Sequence, residues 1–144
     1  MGITNKQRGG QLLPGLGAWM DVPFDAANFS GQGGMTWAVT QAQVLQNRMS
    51  RVGNTVTWNL VIASSTLSGV PGTQLTLKAP TKAKGYATGN CRVLNGAPPV
   101  PGIASMAPNS PNPGYGAVSL PSSAAFVLGS LTLYFTISYE VDPS

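Results

Sequence analysis

Apolar and polar residues alternate with a period of two along most of the chain, and no stretch carries a sustained helical stripe. Met20, Val22 and Phe24 alternate with Asp21, Pro23 and Asp25. Pro23 has no N–H to give to a ladder, so this segment predicts an edge strand. Ser30 to Gly34 is a turn cluster, and Met35 to Val39 then predicts a strand with Met35, Trp37 and Val39 on one face. Next comes the best-defined hairpin. Gln46 to Arg51 runs into Val52-Gly53-Asn54, and Thr55 to Ala63 returns with Val56, Trp58, Leu60 and Ile62 pointing one way. Ser64 to Gly72 reads as a loop, Gln74 to Lys78 as a short strand and Tyr86 to Leu94 as another strand. Residues 95–116 hold Pro98, Pro99, Pro101, Pro108, Pro111 and Pro113, which predicts an irregular excursion interrupted by a short strand over Gly102 to Met106. Loops of that length in compact domains are functional or disordered. Ala117 to Leu120 adds a short strand. The longest alternation closes the chain: Leu131, Leu133, Phe135, Ile137, Tyr139 and Val141 against Thr132, Tyr134, Thr136, Ser138 and Glu140. Together these elements predict an all-β chain, with an antiparallel β-sandwich or jelly-roll-like domain over residues 20–144.

Residues 1–19 differ from this body. They contain Gly9-Gly10, Pro14-Gly15 and Gly17 with no sustained period, which predicts an extended N-terminal arm. Leu12, Leu13, Leu16 and Trp19 make that arm apolar. A segment that cannot bury its own side chains docks them on its own domain or on a neighbour. These four residues are the candidates for partner docking.

Composition narrows the function. Charged residues are 8% of the 144, against about 25% in an average soluble domain, while 42% are hydrophobic. That hydrophobic content forms a core and argues against disorder. No apolar run reaches the ~18 residues of a spanning helix, so no membrane partner is expected. The charged N-terminus lacks a following apolar region, so it is not read as a secretory signal, and assembly in a cytoplasm is the expectation. The net charge is +4, but the eight basic residues are scattered and only Lys78, Lys82 and Lys84 cluster. This is a thin footprint for nucleic acid, which is not expected as the partner. A weak, salt-sensitive contact through that cluster, or an anionic partner surface, is compatible with it.

The inventory also limits chemistry. There is no His, and the acids are Asp21, Asp25, Glu140 and Asp142. One Cys without His cannot build a structural zinc site, and the glycine-rich stretches match no phosphate loop. Only if the first and last strands paired would the four carboxylates gather into a cation site or a glycosidase pair. The chain is therefore read as non-enzymatic, with no catalytic, cofactor or metal residues assigned. Cys91 reads as a small buried hydrophobe, and Trp37 and Trp58 as core residues. Tyr115 in the proline-rich excursion and Tyr134 opposite the apolar stripe are the candidate surface-binding residues, together with Lys82 and Lys84.

Phe29-Ser30-Gly31, Met35-Thr36-Trp37-Ala38-Val39 and Arg51-Val52-Gly53-Asn54-Thr55-Val56-Thr57-Trp58, followed by the closing Phe135-Thr136-Ile137-Ser138-Tyr139-Glu140-Val141, carry a resemblance. Over roughly residues 20–142 the chain resembles small β-rich structural proteins of tailed bacteriophages, of the capsid decoration, head-fibre or tail-fibre type. The resemblance implies a virion protein assembled in the host cytoplasm. It would form a homotrimer with other capsid or tail proteins as partners; the 1–19 arm has no counterpart in the resemblance, and its docking on neighbouring subunits is read from its composition alone. The alternative it implies is a carbohydrate-binding host-adhesion module of a tail fibre, using Tyr115 and the 95–116 excursion to hold a cell-surface glycan.

Overall fold

The computed structural model describes residues 16–96, 98–108 and 114–143. Among them are ten strands: β1 (Leu16–Asp21), β2 (Phe29–Gly31), β3 (Met35–Ala38), β4 (Val44–Val52), β5 (Thr55–Gly69), β6 (Gln74–Lys78), β7 (Ala87–Leu94), β8 (Val100–Pro108), β9 (Gly114–Ser119) and β10 (Gly129–Glu140). All pairings are antiparallel, and the order across the sheet is β1-β4-β5-β10-β7-β8-β9-β6-β2, with β3 on the flank of β5. The all-β class read from the alternation holds. The sheet bends over one core in a sandwich-like manner, because the chain turns from β2, which lies on β6, directly into β3, which lies on β5. Phe29 and Trp37 meet edge to face at 5.4 Å across this turn, bringing the far end of the sheet back to β5.

The hairpin forms as the sequence dictates. Val52 pairs with Thr55, and Gly53 between them sits at φ 59°, a left-handed conformation that costs a side chain energy and glycine almost nothing. Val56, Trp58, Leu60 and Ile62 are all buried on the inner face. They meet Leu131, Leu133, Phe135, Ile137 and Tyr139 of β10, also buried. Trp58 packs edge to face on Phe135 at 5.0 Å, and its indole N–H donates to Asn47 Oδ1 at 2.8 Å, so its polar edge is satisfied.

Three sequence expectations shift. Ser64 to Gly72 is not a loop: β5 continues to Gly69 past a bulge. At the bulge Ser64 takes φ 56° and its backbone N–H donates to Thr132 Oγ1 at 3.0 Å. The next residue, Ser65, is fully buried; its hydroxyl accepts from the Trp37 indole N–H and donates to the Leu131 carbonyl, both at 2.8 Å. Serines that look like loop residues here satisfy a core tryptophan. Beyond the bulge, β3 replaces β4 as the neighbour of β5.

Residues 95–116 are not one irregular excursion either. They contain β8 and the start of β9, paired to each other over Ile103–Pro108 and Gly114–Ser119. Pro101 fits because Val100 and Pro101 pair with β7 only, leaving an unpaired side toward which a missing N–H can face. Pro108 ends its strand. Finally, the first strand lies at Leu16–Asp21, not around Pro23, with Trp19 opposite Ser50 and Asp21 opposite Arg48. The Val22 N–H makes a last bond to the Asn47 carbonyl at 2.8 Å before Pro23 ends the run. Asp25 then caps a single 3-10 turn, accepting from the Ala27 N–H at 2.9 Å.

The long connection before β10 is latched by one side chain. Asn95, mostly buried, donates from Nδ2 to the carbonyls of Val127 (2.8 Å) and Ser130 (3.1 Å) and accepts at Oδ1 from the Val127 N–H (2.6 Å).

Candidate functional site

Side chains directly opposite each other on antiparallel strands share a face, so the registers define what the sheet shows on its outer side. One row runs Trp19, Ser50, Thr57, Ser138 across β1, β4, β5 and β10. The next runs Asp21, Arg48, Asn59, Thr136, Asn90, Ile103 into β7 and β8. A third runs Gln46, Val61, Tyr134, Arg92, Pro101. The hydroxyl and amide groups are tied across strands: Thr57 and Ser138 hydroxyls lie at 3.0 Å, and Thr136 donates to Asn59 Oδ1 at 3.0 Å. These bonds hold the middle of the face in one arrangement.

Aromatic rings stand around that polar centre. Trp19, 41% exposed, lies beneath the Arg48 guanidinium, whose Cζ is 4.8 Å from the ring centroid. Ser50 beneath this edge is buried, its hydroxyl donating to the Gly17 carbonyl at 2.8 Å. Tyr134 is 46% exposed in the third row. Tyr86 is 85% exposed, the most open large apolar side chain among the described residues. It precedes β7 on the same alternation as the exposed Thr88, Asn90 and Arg92. It borders a cleft of about 460 Å³ lined with Thr55, Ser138 and Glu140.

The backbone that presents Tyr86 is anchored. Ala79 and Ala83 are buried, the Lys84 N–H donates to the Glu140 carbonyl at 2.7 Å, and the hydroxyls of Thr81 and Tyr139 lie at 2.8 Å. The anchored segment holds the ring out in solvent instead of against the core. Along the cross-strand rows Asp21 and Glu140 stand against Arg48 and Arg92, and the exposed Lys82 and Lys84 add positive charge at the Tyr86 end.

The predicted site residues distribute as follows. Leu12 and Leu13 lie outside the described residues. Leu16 opens β1 opposite Val52, and Trp19 is on the outer face. Tyr134 is there too, as the alternation predicts. Tyr115 is half-buried instead of standing out from a loop, because it sits within β9 opposite Lys78 and Ala107. Lys82 and Lys84 are exposed between β6 and β7, on the segment leading to Tyr86. Tyr86 itself is missed by sequence reasoning, since one tyrosine at a strand start looks like any other. Its signal is the small pair Gly85 and Ala87 beside it, which leaves the ring uncovered.

The carboxylates do not gather. β4 and β5 stand between β1, which carries Asp21, and β10, which carries Glu140. Cys91 is buried, and burial pushes its thiol up to about 11, a rise only partly offset by the Gly102 backbone hydrogen bond. Tyr139 is likewise raised by burial, against the opposing bonds with Thr81. Among the described residues no three of His, Cys, Asp or Glu come together as a metal site. Compared with known proteins, the chain matches no family model, no curated protein and no solved structure.

Proposed function

We propose that this chain is a non-enzymatic structural protein of a bacteriophage virion, assembled in the host cytoplasm as a homotrimer. In this reading it decorates, or forms a fibre on, the capsid or tail surface. The reading rests on the resemblance carried by the segments that form β2 to β5 and β10. The observation that supports it best is the place of β1. It is the outermost strand of the sheet, paired on one side by β4, and it directly continues the segment holding Leu12 and Leu13. An arm leaving from an open sheet edge can reach a neighbouring subunit without disturbing the core. Removing residues 1–15 tests this, because β1 is retained. The truncated chain keeps the unfolding midpoint of the full chain and no longer attaches to phage particles assembled without the protein; attachment equal to that of the full chain overturns the proposal.

A second reading, a carbohydrate-binding host-adhesion module, is favoured by the exposed rings of Trp19, Tyr86 and Tyr134 around a hydroxyl-rich face. It shifts the binding residues from Tyr115 to this face.

A further inference from the structure

We infer that the outer face of β1, β4, β5 and β10 is a binding track for a neutral oligosaccharide, bounded by Trp19 at one end and Tyr86 at the other. This rests on the carbohydrate-binding reading and says where, and for which chemistry, it would operate.

The geometry supplies the track. From β1 across β4, β5 and β10 to the level of β7 there are four inter-strand steps. Adjacent strands lie roughly 4.8 Å apart, so the face spans about 19 Å between its terminal rings. That is too long for one sugar ring and suits a short chain of them. Trp19 and Ser138 lie in one cross-strand row, and Ser138 lines the cleft beside Tyr86.

The chemistry selects the ligand. A pyranose offers an apolar C–H face, which aromatic rings bind, and a rim of hydroxyls, which need paired donors and acceptors. Both are present: rings at the ends, and Thr55, Thr57, Ser138 and the Glu140 carboxylate between them. The Thr57–Ser138 and Thr136–Asn59 bonds fix these groups in advance, which lowers the ordering cost of binding. Along the cross-strand rows the two acids and two arginines cancel, so the middle of the face favours a neutral ligand, while the exposed Lys82 and Lys84 add positive charge only at the Tyr86 end.

The experiment is a glycan array of neutral and acidic oligosaccharides, followed by titration calorimetry with the strongest neutral binder and its shorter fragments. The proteins are the full chain, Tyr86→Ala and Trp19→Ala. Tyr86 is 85% exposed, so its removal leaves the fold intact and keeps the test valid even where Trp19→Ala loosens β1. The expected result is affinity that rises from disaccharide to tetrasaccharide and falls roughly tenfold in each variant, the scale of a binding hot spot. A full chain that binds no glycan overturns both the carbohydrate reading and the track. Glycan binding unchanged in both variants overturns the track alone and leaves that reading with another surface. Binding confined to acidic glycans and abolished by salt overturns the neutral ligand. If Tyr86→Ala instead splits an oligomer into single chains, the face is a subunit interface and the track is overturned.

Discussion

At the scale of single residues, the titratable groups buried among the described residues, Cys91 and Tyr139, should make this protein sensitive to alkali. Cys91 keeps its proton up to about 11 in the folded chain, against 9.0 ordinarily, and Tyr139 is shifted in the same direction. A group whose folded pKa is raised contributes its stabilisation in full below its unfolded pKa and loses it as pH climbs through the folded value. The midpoint of thermal unfolding should therefore hold up to pH about 9 and fall toward about 11. Cys91→Ala should flatten part of that fall and leave the part owed to Tyr139; an unchanged slope would show that Cys91 is not linked to folding. The same burial makes the native thiol slow toward an aromatic disulfide reagent at neutral pH and fast once the chain is unfolded, which absorbance reads directly.

At the scale of elements, Asn95 shows how one side chain fixes a connection. Its amide makes three bonds to Val127 and Ser130, so Asn95→Ala leaves two carbonyls and one N–H without their partner. We expect a loss of about 1–3 kcal/mol in urea unfolding and faster hydrogen exchange at Val127, with β4 and β5 unaffected. Uniform exchange over the whole chain would show that Asn95 acts globally and not as a latch. This latch was invisible in the sequence, where Asn95 is only the first residue of the proline-rich 95–116 excursion. Strands with one wet and one dry side were legible, since Val56 to Ile62 and Leu131 to Tyr139 alternate because one face meets the core. The second half of β5 was not, because Ser64, Ser65, Ser68 and Gly69 imitate a loop while Ser65 satisfies Trp37. Nor were β8 and β9, because prolines mark loops unless an edge with an unpaired side is available, and edges are decided by distant strands. The candidate face suffered most. Tyr134 follows from alternation within one strand, but bringing Trp19, Tyr86 and Ser138 onto one surface requires the pairings of five strands.

At the scale of the whole molecule, the proposed trimer is read from mass. Light scattering at low micromolar concentration should give three times the 14.8 kDa of the chain, and a value of one chain overturns the trimer in solution. Long strands with shared apolar faces suit symmetric assembly, yet here β10 turns its apolar side wholly into its own core. In the proposed trimer, contacts between subunits would then use the outer face, the sheet edge or the arm.

The strand order also makes the molecule mechanically lopsided. β10 is gripped on both sides, by β5 along nearly its whole length and by β7 over Thr132–Thr136, so tension entering from the C-terminal side must shear two ladders at once. β1 is gripped by β4 alone through a handful of pairs, and tension entering from the N-terminal side can peel them one after another. If the arm is the tether, a sustained pull would strip away a single strand, and Trp19 with it, while the core behind β4 stays shut.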